Sequence, residues 1–138
     1  MSVAATTSVT TAPAPAKPLI AGGLVAVAVA SAATAATATA GDFAGISLLV
    51  GGKPIPPSGF AVLTAIFSLV GLALALILAR TVRRPRTAFV RTTVVLTAAS
   101  LVPDLLADAS APTKTLLMLT HLVAAAIVIP TIARRLSA

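Results

Sequence analysis

A chain of 138 residues that is 58 % hydrophobic and only 9 % charged, with a mean hydropathy of +1.08, is too apolar for an ordinary water-soluble domain. Ten Lys and Arg against three acids give a net charge of +7, but with no Trp or Tyr and only four Phe to stack on bases, nucleic acid is not expected as a partner. The absence of cysteine removes disulfides, thiolate metal sites, iron–sulfur clusters and thiol nucleophiles together.

Residues 1–17 are Thr, Ala, Ser, Val and Pro with one charge, Lys17. Pro13 and Pro15 interrupt any helix and little here can pack, so a disordered cytoplasmic tail is expected. A single four-helix domain, 18–136, should follow, with spans at about 18–41, 59–80, 87–109 and 113–135. Pro18 stands at the start of the first span, where its missing N–H costs nothing. From Leu19 to Ala40 there are 22 uncharged residues, enough to cross a bilayer at about 1.5 Å per residue. A second reading of this region is a secretory signal peptide, with Lys17 as its basic start, 19–30 as its apolar core and Ala38-Thr39-Ala40 as its cleavage site. Cleavage there would leave three spans without changing the sides of the others.

Residues 43–50 are apolar but too short to cross, and are expected to lie in the interface or to continue the first helix. The run Gly51-Gly52-Lys53-Pro54-Ile55-Pro56-Pro57 then breaks any helix. It resembles a phosphate-binding loop only superficially, because the preceding glycine is missing. The second span is the cleanest, 20 uncharged residues from Phe60 to Ala79 that end at Arg80, and Pro85 closes the turn after it.

The third span is short of apolar length. Only 12 uncharged residues, Thr92 to Pro103, separate Arg91 from Asp104, about 18 Å of helix against a hydrocarbon core about 30 Å thick. Arg91 can snorkel to the headgroups on its long stem, whereas Asp104 is held about 6 Å beneath the surface if the helix is centred on Ala98. The fourth span can be capped by Ser110 or Thr113, tolerates Pro112 in its first turn and contains Pro130, which frees the carbonyl of Ala126.

The charges are sorted by side. Lys17, Arg80, Arg83, Arg84, Arg86, Arg91, Arg134 and Arg135 fall at the span ends that share one face, while Asp42, Lys53, Asp104, Asp108 and Lys114 fall toward the other. Cytoplasmic loops accumulate Lys and Arg, so the fold class expected is an all-α transmembrane four-helix bundle of up-down topology with both termini cytoplasmic, in the plasma membrane. Arg80, Arg83, Arg84, Arg86, Arg91, Arg134 and Arg135 would contact anionic lipid headgroups, at about 1 kcal/mol per basic residue.

Membrane helices associate through close packing of small residues rather than by hydrophobic burial. Stripes at helical spacing are Gly23, Ala26, Ala30, Thr34 and Thr37 in the first span, and Thr64, Ser68, Gly71 and Ala75 in the second. The third carries Thr93, Thr97, Ser100 and Asp104, a polar line ending in a carboxylate.

Asp104 and His121 are the ionisable groups expected to be submerged away from the arginine-rich rim. Each lies 13 residues from an arginine marker, Arg91 and Arg134, so their depths agree and they form the natural pair. Pro103 removes a backbone hydrogen bond to Ala99 just before the carboxylate, as in broken helices that border ion sites. Thr97 and Ser100 would support the pair, which is either a structural polar lock or a proton- or ligand-responsive site. Asp104, Asp108, His121 and Asp42 would supply O and N ligands to a divalent ion, but no metal-binding signature is present and Asp108 can as well pair with Lys114, so no metal is expected. With one His and only Met1 and Met118 as methionines, bis-axial haem ligation within one chain is not expected either, and no catalytic or nucleotide-binding motif occurs.

The arginine-rich turn, Val102-Pro103-Asp104-Leu105 at the end of the third span, His121, and the close on Ala133-Arg134-Arg135 together resemble a family of small four-span actinobacterial integral membrane proteins classed as a domain of unknown function. The resemblance covers about 19–136 and implies a plasma-membrane location without an activity. The expectation is a non-catalytic membrane component, without cofactor, that packs on a partner or on itself as a homo-oligomer. The alternative is a small proton- or ligand-coupled transporter using Asp104 and His121.

Overall fold

The computed structural model describes residues 15–138 together with Ser2, Ala4, Ala5, Thr6 and Ser8. Most of the tail expected to be disordered, 1–17, therefore lies outside the described residues. Four helices follow in order: α1 (Ala16–Phe43), α2 (Pro57–Thr81), α3 (Pro85–Leu106) and α4 (Ala111–Ala133). They have 28, 25, 22 and 23 residues. At about 1.5 Å per residue even α3 reaches the roughly 30 Å of a hydrocarbon core. All four are long and apolar enough to cross a membrane.

Local chemistry explains the boundaries. Proline stands in the first turn of α2, α3 and α4, where no N–H is required. Ser110 is the N-cap of α4, its Oγ accepting from Thr113 N at 3.4 Å. The Thr113 hydroxyl donates to the Ser47 carbonyl and so ties this cap to the segment after α1. α1 ends in a Schellman arrangement: Ile46 N donates to Gly41 O and Gly45 N to Asp42 O, both at 2.9 Å, with Gly45 at φ +82°.

Beyond Phe43 the segment up to Val50 does not continue α1. It turns back into a small antiparallel hairpin, β1 (Leu49–Val50) and β2 (Lys53–Pro54), in register Leu49 opposite Pro54 and Val50 opposite Lys53. Gly51 and Gly52 both have positive φ, 58° and 73°, which a two-residue type I′ turn requires. Gly51 N donates to Asp108 O at 2.8 Å, so the hairpin is fastened to the α3–α4 connection.

The helices pack as a four-sided ring. α1 makes the broadest contacts, with α2 and α4, whereas α3 is held more thinly by α4 and most thinly by α2. The buried face of α1 is Gly22, Gly23, Ala26, Ala30, Thr34, Ala38 and Gly41, an almost unbroken line of small residues. Ala38 and Gly41 stand on that face instead of the expected Thr37, because Ala38 follows Thr34 at i+4; Thr37 bonds the Ala33 carbonyl at 2.8 Å. On α2, Ser68 and Ala75 are buried as expected, joined by Phe60 and Leu72 in place of Thr64 and Gly71.

Two apolar cores result. One, toward the arginine-rich end, gathers Leu19, Leu72, Ala75, Phe89, Val128 and Ile132; the other, beneath the hairpin, gathers Ala38, Leu48, Phe60 and Leu116. Between them runs a polar waist. Thr34, Ser68 and Thr120 are buried there, and the Thr34 and Thr64 hydroxyls meet at 2.9 Å. The outward faces carry apolar side chains such as Val25, Val62, Ile77, Val94 and Val95, each more than half exposed. An apolar surface this extensive has no place in water and suits a lipid surround.

Candidate functional site

The structure brings Asp104 of α3 and His121 of α4 into contact, Nδ1 lying 2.7 Å from Oδ2. This is the one ion pair among the described residues. Equal spacing from the arginine markers puts the two at one depth, and the close approach of α3 to α4 closes the gap. Asp104 is 8 % exposed, and its Oδ2 is buried. The His121 side chain is 39 % exposed.

The same Nδ1 lies 3.0 Å from the Leu117 carbonyl, one turn earlier. A hydrogen on Nδ1 would be better aligned with that carbonyl than with the carboxylate, and Oδ2 has no well-directed hydrogen bond. One nitrogen thus faces two oxygens. A bare lone pair on Nδ1 would be repelled by both, so one proton must lie on this nitrogen or on the carboxyl group beside it. Nε2 is left without a hydrogen-bond partner among the described residues. A contact of this kind holds α3 to α4 across a medium that offers no competing water.

Thr97 and Ser100 do not touch the pair. Thr97 donates to the Thr93 carbonyl at 2.8 Å, Ser100 to the Thr97 carbonyl at 2.6 Å, and Thr93 to the Phe89 carbonyl at 2.7 Å. The polar line on α3 is therefore satisfied within its own helix, as Thr and Ser often are. Asp42 and Asp108 are exposed and stand apart from the pair. Among the described residues no group of three or more His, Asp and Glu side chains converges on one point that could hold a metal. Lys114 does not pair with Asp108; its Nζ donates to the Leu105 carbonyl at 3.0 Å and closes the end of α3.

Arg80, Arg83, Arg84, Arg91 and Arg134 are exposed at the end of the bundle opposite the hairpin. Two other arginines have structural duties there. Arg86 Nε donates to the Ala133 carbonyl at 2.8 Å, closing the last turn of α4. Arg135 lies across Gly22, where an added Cβ would come within 3.2 Å of its Nε.

Beside the pair is a feature that the sequence did not reveal. A cavity of about 310 Å³, open along one side, separates α2 from α3 and has α4 as its floor. Its volume falls within the range of small-molecule sites. Phe60, Phe67, Leu74 and Leu96 give it apolar walls, and His121 lies on its floor near the hairpin end. Gly71 lines it too, and a Cβ built there would meet nothing within 4 Å.

Four lipid-compatible helices, a buried acid–imidazole contact and a lateral groove define a multi-pass membrane protein. The chain belongs to the Family of unknown function (DUF6069), matched over residues 14–138. No curated protein and no solved structure matches it.

Proposed function

We propose that this protein is a non-catalytic component of the plasma membrane that holds a partner drawn from the bilayer in the groove between α2 and α3. The open groove is the observation that carries this reading: α1 is sealed against α2 and against α4 along its small-residue face, while the middle of α2 is separated from α3 by a groove with apolar walls. In this reading the bundle is up-down with both termini in the cytoplasm. Its support is the sorting of charge, with Lys17, Arg80, Arg83, Arg84, Arg86, Arg91, Arg134 and Arg135 at one end and Asp42, Lys53, Asp108 and Lys114 at the other. The exposed arginines at that end, Arg80, Arg83, Arg84, Arg86, Arg91, Arg134 and Arg135, would rest on anionic headgroups of the inner leaflet.

Purification in mild detergent, with copurifying proteins and bound lipid both read, tests the groove. The intact chain should retain a partner that Gly71→Phe, placed where an added Cβ meets nothing within 4 Å, releases; equal retention by both would remove the groove from the account. Cysteine labelling that found the Arg83–Arg86 turn outside the cell would reverse the orientation.

The Asp104–His121 contact favours a second reading, a small proton- or ligand-coupled transporter. One nitrogen shared between two oxygens is a geometry in which a proton can change owner. In liposomes under a pH gradient, Asp104→Asn and His121→Ala would then remain folded and lose transport. Loss of assembly in both variants, with no transport by the intact chain, would leave only the structural lock.

A further inference from the structure

α3 is held mainly at its ends. Of its 22 residues three are buried, Pro85 and Phe89 near one end and Asp104 near the other. Phe89 lies in an apolar core, and Arg86 beside it adds two bonds, from Nε to the Ala133 carbonyl and from its backbone N–H to the Ser137 carbonyl at 3.3 Å. Past Phe89 that arrangement does not recur. The hydroxyls of Thr93, Thr97 and Ser100 serve carbonyls of α3 itself, and this stretch borders the groove. Apolar contacts do little to hold helices together in lipid, so the hairpin end of α3 depends on polar ones. The one buried side chain there is a carboxylate, and it meets an imidazole.

The number of protons decides how good that contact is. With a single hydrogen on the ring, at Nδ1, the pair carries one negative charge, and one N–H faces both Oδ2 and the Leu117 carbonyl. Oδ2 is then a buried acceptor without a well-directed bond, which is costly in hydrocarbon. One further proton, on the ring or on the carboxyl group, makes the pair neutral. The contact becomes an ion pair or an O–H to nitrogen bond, and the uncompensated charge is gone. No neighbour supplies that compensation instead. On α4, Lys114 has its Nζ on the Leu105 carbonyl and makes no ion pair with Asp104 among the described residues. Asp108 in the α3–α4 connection, Asp42 on α1 and Lys53 in the hairpin are exposed, and α2 has no charged residue before Arg80. The arginines of α3 and α4 stand toward the other end. Pro103 loosens the same turn, because it has no N–H to give the Ala99 carbonyl.

We infer that Asp104 and His121 form a one-proton couple that sets how closely the hairpin-end half of α3 sits on α4, and so regulates the groove that both helices border. With the proton bound, this half of α3 is fastened. With the proton lost, the uncompensated carboxylate is drawn toward water, α3 separates from α4 and the groove opens. The Lys114 bond to the Leu105 carbonyl and the Gly51 bond to the Asp108 carbonyl keep the α3–α4 connection in place, so the movement is confined to the helix. This regulation acts on the groove proposed above as a partner site but needs no occupant, so each can fail while the other stands. It rests on the same contact as the transporter reading, whose failure shows as absent transport and not as an unchanged distance.

The chain has no cysteine, so pairs of spin labels can be placed at chosen sites through introduced ones. The full chain in nanodiscs carries one pair at Val102 and Leu119, across α3 and α4 at the hairpin end, or another at Thr87 and Arg134, across the same helices at the arginine-rich end. All four positions are exposed. From about pH 5 to about pH 9, a range that spans the charge change of imidazole, the first pair should pass from one short distance to a mixture with a longer one. The ratio of long to short should rise by up to about tenfold per pH unit, the slope of a single proton, while the second pair stays unchanged. His121→Gln, which leaves the carboxylate without a cation, should show the longer distance throughout. Asp104→Asn, which removes the charge, should keep the shorter one throughout. An invariant first pair in the wild-type chain, or a change in both pairs together, would overturn the inference, and neither result needs a variant of the couple to fold. So would an Asp104→Asn chain that loosens as His121→Gln does, the outcome that a purely structural lock predicts.

Discussion

Helix α2 has two flanks that behave in opposite ways. Toward α1 it meets Gly23, Ala26 and Ala30 with Leu72 and Ala75, and the backbones come close enough to seal. Toward α3 it presents Leu63, Phe67, Gly71 and Leu74 to a gap. Both flanks are apolar, so hydrophobicity does not decide which one closes. In lipid, bringing Leu away from an acyl chain and onto another Leu gains almost nothing, and adhesion comes from close contact of small residues or from hydrogen bonds between helices. The α1 seam has both, the glycine–alanine line and the Thr34–Thr64 bond. The α2–α3 flank has neither along its middle, because the hydroxyls of α3 bond their own helix. α3 is instead fastened to α4, by Phe89 and Arg86 at one end and by Asp104–His121 toward the other.

Four predictions sharpen or break this contrast. The largest effect is expected at Phe89, which is fully buried. Phe89→Ala should lower stability in detergent by about 3 kcal/mol through the cavity it leaves; a loss below about 1 kcal/mol would mean that α3 is not anchored there. Next come the glycines of the seam. A Cβ at Gly23 would collide with the buried Leu72, and one at Gly41 would lie 2.6 Å from Leu116 Cδ2. Gly23→Leu should therefore cost about 2 kcal/mol by overpacking, whereas Gly71→Leu in the gap should leave the unfolding midpoint nearly unchanged. Equal costs at the two positions would erase the distinction between sealed and open flanks.

A smaller effect belongs to the acid–imidazole contact. Asp104→Asn, His121→Ala and the double variant form a cycle whose coupling should be about 1 kcal/mol, the usual range for hydrogen bonds between membrane helices. Additive losses would show that the two groups act independently despite lying in contact. A small gain is expected for Gly71→Ala, which adds a methyl group in open space and removes a flexible residue from a helix interior. It should raise stability by about 0.5 kcal/mol, measured as a shift in the thermal midpoint. A decrease would place a neighbour where the structure shows none.

The charged residues make a second, quieter comparison. At the hairpin end Lys114 is spent on a carbonyl, and Asp108 contributes its backbone oxygen to the hairpin rather than its carboxylate to a neighbour. At the other end Arg86 closes α4 through the Ala133 carbonyl, while Arg83, Arg84 and Arg91 make no such bond among the described residues. Charge counted from sequence treats these side chains alike. Which ones are left to meet lipid depends on where the last carbonyls of each helix fall, and that is set only when the helices dock.

Much of the architecture is legible in the order of residues because it depends on local quantities. An apolar run of about 20 residues, proline in a first turn, a serine N-cap and a pair of glycines before Lys53 each act within a few residues of where they stand. The Asp104–His121 pair could be anticipated for a related reason. Helical rise is constant, so counting 13 residues from Arg91 and from Arg134 measures depth on two helices with one ruler. The back-folded hairpin was hidden because 43–50 is apolar enough for several fates, and the Thr113 bond to the Ser47 carbonyl joins residues far apart in the chain.

The groove could not be read at all. It is a distance between helices, and whether Gly71 faces a neighbour or empty space depends on rotations and separations that no single helix encodes. The sequence by itself determined four lipid-compatible helices, their caps and the common depth of one acid and one imidazole. The tertiary structure decided which flank of α2 closes and which stays open, because in hydrocarbon the choice rests on the fit of whole surfaces.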